Sequence, residues 1–180
     1  MPRDVRLSVV EGFRKHHIKM DLSKLPNQAR LAETNTKKLF EVLKRKKPNN
    51  LDDVVHQLHD EAFEKIDCMK CANCCKTTSP IFNDRDIDRI SRRLRIKPSD
   101  FISKYLHKDE DGDYVLNEAP CTFLDSENYC LIYDDRPAAC REYPHTNRKR
   151  FYQLLDLTIK NTYVCPAAFE IVEQMKKKYK

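Results

Sequence analysis

The cysteines constrain this chain more than any other residue type. Residues 1–67 contain none. Four fall within eight positions, as Cys68-x-x-Cys71-x-x-Cys74-Cys75, and the other four are Cys121, Cys130, Cys140 and Cys165. Free Cys packs like a small hydrophobe, and eight inert core thiols scattered through 180 residues would rarely cluster in this way. A chain of this length buries a sizeable core without covalent staples. Its opening, Met1-Pro-Arg-Asp-Val-Arg, lacks the apolar stretch of a secretory leader. No apolar run reaches the length of a membrane-spanning helix. A cytoplasmic protein without membrane insertion is therefore expected. Structural disulfides are rare in a reducing compartment, so metal binding is the leading reading of the thiols.

Three thiolates at intervals of three residues converge on one centre when the backbone loops around it. The bacterial ferredoxin run opens with the same spacing and is completed by a Cys followed by Pro. Here Cys165-Pro166 supplies that ending from a distance. Structural zinc sites more often combine paired knuckles from two places, and a second C-x-x-C is missing. An iron–sulfur cluster is thus favoured over zinc. Cys75 does not fit the same centre, because neighbouring side chains on an extended backbone point to opposite faces. Two centres are expected, one of Cys68, Cys71, Cys74 and Cys165 and one of Cys75, Cys121, Cys130 and Cys140. A single four-thiol site with four spare cysteines is the alternative.

The metal reading changes the meaning of the charge. The formal net charge is +6. Eight bound thiolates remove eight charges and two dications restore four, leaving about +2. The basic runs at Lys44-Arg-Lys-Lys, Arg148-Lys-Arg and Lys176-Lys-Lys lack interleaved aromatics for base stacking. Nucleic acid is disfavoured as a partner, and an unidentified protein or redox partner is expected instead. Gly12 and Gly112 are the only glycines and stand alone, which excludes a Walker A loop and a dinucleotide-binding fingerprint.

Periodicity places helices over 31–47, 51–67 (capped by Asn50) and 83–96. A short helix capped by Ser99 carries Phe101, Ile102, Tyr105 and Leu106. Short strands are expected at 114–116, 121–124 and 129–133, with a turn at Asp125-Ser-Glu-Asn between the last two. Pro137 opens a helix bearing Cys140 and Arg141, and Pro166 opens a terminal helix. Residues 151–159 read as strand or helix. The fold class is α+β and helix-dominated, a small β-hairpin and helices organised around a Cys-rich metal centre. Residues 1–66 form a helical extension packing on a metal-binding domain of residues 67–180. Asp109-Glu-Asp-Gly-Asp reads as a solvated turn, since Gly112 is misplaced for a calcium loop. His16-His17 and the pair His56 and His59 lack evident partner ligands, and His145 is the best substitute ligand.

The motifs continue in order after the first cluster. They are Pro120-Cys121-x-Phe123-Leu124, then Cys130-Leu-Ile-Tyr133-x-x-Arg136-Pro137-x-x-Cys140-Arg141-x-Tyr143-Pro144, then Cys165-Pro166. Across about residues 67–166 the chain resembles the cysteine-cluster family named after its C-x-x-C-x-x-C-C motif, a zinc- or iron-chelating domain. Every Cys in the chain falls on that pattern. The resemblance implies metal chelation without a fixed general activity. Flagellin lysine methylases look like relatives with an iron–sulfur centre, although this chain shows no methyl-donor module. Arg136 and Arg141 are expected to offset thiolate charge or to hydrogen-bond sulfur. Anion binding and ion pairing with Asp134, Asp135 or Glu142 are the other roles open to them. Tyr133 and Tyr143 are expected to be packing residues with a hydrogen-bonded hydroxyl rather than catalytic acids.

Overall fold

The computed structural model describes residues 21–180. His16-His17 lies outside the described residues. Helix α1 spans Leu25–Lys46, with Pro26 in its first turn, where the missing N–H removes no helical bond. It starts earlier than the sequence suggests because Leu25 and Ala29 are buried. Leu31, expected on the apolar face, is 69% exposed. It follows buried Ala29 by two residues, a step that turns it to the opposite side of the helix. The helix ends in a basic turn at Lys47, whose φ is 43°, just before Pro48.

Helix α2, Leu51–Lys65, buries Leu51, Val55, Leu58 and Ala62 as its periodicity predicts. Asn50 does not cap it through its side chain. Asp52 in the first turn points instead to a distant loop, accepting bonds from the Arg150 N–H (2.7 Å) and the Phe151 N–H (2.9 Å). Two single turns follow, α3 (Cys68–Cys71) and α4 (Asn73–Thr77), separated by Ala72 at φ 46°. Helix α5, Asp84–Leu94, begins with a capping box between Asn83 and Asp86. Pro98 opens α6, Pro98–Tyr105, so Ser99 lies inside the first turn rather than at the cap.

Leu106, expected within that last helix, begins strand β1 (Leu106–Lys108), which pairs antiparallel with β2 (Tyr114–Leu116). The turn between them is the acidic Asp109–Asp113 segment. Asp109 accepts from the N–H groups of Asp111 and Asp113, and Gly112 at φ 84° closes it. The hairpin is therefore formed by a different pair of segments from the one expected. Residues 121–124 and 129–133 keep only an isolated bridge, Leu124 to Cys130. Asp125 draws in the N–H groups of Glu127 and Tyr129, with Asn128 at φ 70°. That tight loop competes with a longer ladder. Helix α7 (Ala138–Glu142) follows Pro137. A 3-10 turn at Phe151–Gln153 leads into α8, Leu155–Thr162, so 151–159 is helical rather than extended. Helix α9, Pro166–Lys178, starts at Pro166 as expected. Among the described residues, no helix is long and apolar enough to cross a membrane.

Two apolar cores result. The first joins α1, α2, α8 and α9 around Phe40, Val55, Phe151, Leu155 and Ile171. The second joins α5, α6, the hairpin and residues 123–132 around Phe82, Ile90, Phe101 and Phe123. Truncating a buried Phe such as Phe101 removes about 3–5 kcal/mol. In contrast, α3, α4 and α7 contain no buried residue. The turns that carry five of the eight cysteines are thus held by neither core directly.

One polar anchor fixes the approach to α7. Asp86 is 1% exposed. Its Oδ1 accepts from Arg89 (2.7 Å) and from the Ala138 N–H (3.2 Å). Arg89 also donates to the carbonyls of Asp135 and Arg136. Replacing Asp86 by Ala strands the Arg89 charge and is expected to destabilise the fold by about 3 kcal/mol. Urea unfolding of D86A beside the wild type measures this; a loss under about 1 kcal/mol would contradict the anchor.

Candidate metal centre

Cys68, Cys71, Cys74 and Cys165 line one cavity, the same four thiols that the sequence groups together. The space is a small cleft partly open to solvent, and its other walls include Phe63, Ile66, Tyr143, Pro144 and Val164. Asp67 fixes the first turn by accepting from the Met69 N–H at 3.0 Å. Ala72 at positive φ reverses the chain so that Cys74 returns toward Cys68 and Cys71. Asn73 ties that reversal to the turn before Cys165 by donating to the Val164 carbonyl at 2.6 Å. Cys165 arrives as the N-cap of α9, and its Sγ accepts from the Ala168 N–H at 3.5 Å. A helix N-terminus stabilises negative charge there.

The other four thiols come from separate segments. The Cys121 N–H donates to the Cys75 carbonyl at 2.8 Å. Cys130 is held in the Leu124 bridge, and both Cys121 and Cys130 pack against the second core. Cys140 rides on α7. The charge of Cys75 bears on Cys121, Cys130 and Cys140 alike. It also bears on Cys68, so the two groups abut. Among the described residues, no three His, Cys, Asp or Glu side chains stand grouped as a ready site for one metal ion.

The meeting point is Cys74 and Cys75, whose sulfurs are 4.0 Å apart. The sequence argument separated them by assuming extended backbone. They instead lie in the helical turn α4, where successive side chains diverge by about 100°. A hydrogen bond between the two thiols lowers Cys75 to about 7 against its own burial. The same bond and burial push Cys74 up. Burial raises Cys121 to about 11 and both Cys140 and Cys165 to about 12. In the metal-free protein these last three hold their protons at neutral pH, so a bound cation must displace them.

Arg136 lies over the Tyr133 ring, 3.8 Å from its centroid, and donates to the Tyr133 carbonyl at 2.6 Å. Its charge reaches Cys68, Cys130 and Cys140 and favours their thiolates. Arg141 is exposed on α7. Other arginines take the acids considered for these two: Arg93 faces Asp135 at 3.9 Å and Arg148 faces Glu142 at 3.2 Å. His59 is hydrogen-bonded to Thr146 at 2.8 Å and packed on Phe63, while His56 meets the Arg148 carbonyl. His145 has a buried Nδ1 without a hydrogen-bond partner, and it does not line the cavity.

Tyr143 is the residue whose place the sequence does not foretell. It lines the four-thiol cavity, its hydroxyl is buried without a hydrogen-bond partner, and all four thiols bear on it. Burial, first, and those thiols push its pKa up, so the phenol keeps its proton. The Tyr-Pro pair after Cys140 was the available signal, but spacing alone gives no direction for the ring.

A family model, CxxCxxCC, described as a putative zinc- or iron-chelating domain, matches residues 67–165. The chain belongs to this family. The CxxCxxCC match takes in all eight cysteines and ends at Cys165. No curated protein and no solved structure matches the chain. Metal binding by the cysteine cluster is therefore the coarse function, in agreement with a soft, all-sulfur donor set suited to zinc or iron.

The histidines give this protein an acid limit of their own. Burial lowers the pKa of His59, and of His145. A folded value below the unfolded one means that the stabilisation is present above about pH 6.5. It is lost as pH falls through the folded value. Thermal unfolding of wild type and H59Q between pH 7.5 and 5 is expected to diverge: the wild type loses more on acidification. Parallel curves would show that His59 titrates alike in both states.

Proposed function

We propose that this protein is an iron–sulfur protein with two four-thiol centres that carries out redox chemistry with a protein partner. The first centre is held by Cys68, Cys71, Cys74 and Cys165, the second metal by Cys75, Cys121, Cys130 and Cys140. The observation that carries the reading is that four thiols from two distant segments line one apolar-walled cleft. The C-x-x-C-x-x-C spacing completed by Cys165-Pro166 matches the ferredoxin run and favours a cluster over a single zinc. When bound, such a group accepts and returns one electron.

The chain's own residues set the conditions for that chemistry. Phe63, Ile66 and Val164 limit water at the first centre. The α9 N–H groups and Arg136 offset thiolate charge. All eight cysteines are free, which suits a reducing compartment such as the cytoplasm. The partner is a protein rather than nucleic acid or a membrane, because the basic runs are partly neutralised. Lys44 binds Asp156 at 2.6 Å and Lys176 binds Glu173 at 2.7 Å.

The test is the metal and acid-labile sulfide content of protein purified without oxygen, read with its visible spectrum. Iron with sulfide and absorption that bleaches on reduction are expected. Zinc without sulfide would overturn the cluster and turn attention to a structural zinc module that binds a partner without catalysis.

A further inference from the structure

We propose that the Tyr143 hydroxyl donates a hydrogen bond to a ligand sulfur of the first centre and thereby raises its reduction potential. The inference rests on the two-centre reading above and names a residue outside the cysteine set.

Three observations lead there. A buried hydroxyl without a partner forfeits about 1–3 kcal/mol. Native structures rarely leave such a group unpaired unless an ion, water or ligand satisfies it. The Tyr143 hydroxyl is such a group, on the wall of a cavity whose other polar side chains are the four thiols and Asn73. Asn73 is already committed to the Val164 carbonyl. Among the cavity's other polar side chains only the thiols are left to accept the one proton that the phenol has to give. A metal-bound thiolate is a far better acceptor than a neutral thiol, so the bond forms when the centre is filled.

The direction of the effect follows from charge. Reduction adds an electron to the thiolate-bound centre and raises the negative charge on its sulfurs. A hydrogen-bond donor stabilises that reduced form more than the oxidised one. The ring's position also matters. Tyr143 directly follows α7, three residues after Cys140 of the second group. A single short segment thus carries a ligand of one centre and the hydrogen-bond donor of the other.

The experiment compares wild type with Tyr143→Phe, which keeps the ring and removes the hydroxyl, at matched iron and sulfide content. The expected result is a shift of the one-electron equilibrium against reduction by up to about tenfold. Tenfold corresponds to a midpoint about 59 mV more negative. Equal midpoints at matched content would overturn the proposal while leaving the cluster intact. If both proteins hold zinc without sulfide, the cluster reading fails separately. The hydroxyl's bond is then read as faster zinc release to a chelator in Tyr143→Phe, and equal release rates overturn it. Should Tyr143→Phe not fold, wild type grown with 3-fluorotyrosine supplies a stronger donor of nearly the same shape. Its midpoint, or its zinc retention, is then expected to rise, and no change would overturn the bond.

Discussion

Stripping the metal with a chelator is expected to cost residues 67–145 their protection from hydrogen exchange, while α1, α2, α8 and most of α9 keep theirs. The contrast follows from what holds each part. The first core packs four helices through residues such as Phe40, Phe151 and Ile171, all at most 2% exposed. The turns α3, α4 and α7 bury nothing of their own. Structural zinc in small domains supplies about 10–16 kcal/mol at neutral pH, against a total stability of about 5–15 kcal/mol for most domains. Ligation on that scale outweighs every local contact of the cysteine turns. The second core is smaller and is connected through those turns, so its protection falls with theirs. Exchange measured segment by segment, with metal removal verified, decides the matter. Native protection across 67–145 in metal-free protein would mean that apolar packing alone suffices.

Single cysteine replacements are expected to empty one centre at a time. Cys71→Ser and Cys165→Ser should lose the first centre's metal and retain the second. Cys121→Ser and Cys140→Ser should do the reverse. The sharpest comparison is Cys74→Ser against Cys75→Ser, neighbours in sequence with sulfurs 4.0 Å apart. They are expected to sort into opposite groups. Metal and sulfide per chain, counted for each purified variant, give the answer. If every replacement reduces all metal in proportion, the eight thiols serve one shared site.

The sequence made the helical frame and the four thiols of the first cavity readable for different reasons. Helices α2, α5 and α9 follow from apolar periodicity and from Asn83 and Pro166 at their starts, which are local signals. The strands were harder. A run such as Tyr129-Cys-Leu-Ile-Tyr has strand composition, yet the Asp125 carboxylate captures two N–H groups and closes a loop there. The hairpin formed where β1 could reach β2, which depends on tertiary packing beneath α6. That Cys68, Cys71, Cys74 and Cys165 line one cavity was legible because their spacing reports chain reversal. The argument that parted Cys75 from Cys74 was not sound, since α4 is helical rather than extended. Tyr143 and Asp86 lay beyond reach, because their roles depend on what surrounds a buried oxygen rather than on neighbours in sequence.

The position of Cys165 at the start of α9 has a consequence for how the protein is born. In the proposed grouping, its three companions leave the ribosome about 90 residues earlier, whereas the other four thiols are complete once Cys140 has emerged. Synthesis proceeds from the N-terminus at about 5–20 residues per second. Three thiols of the first centre therefore wait several seconds for the fourth, exposed to whatever delivers or steals metal in the cell. If Cys165 is the last ligand, as proposed, it arrives with the helix that seals the first core, so final metal capture and closure of the helical half would become one event.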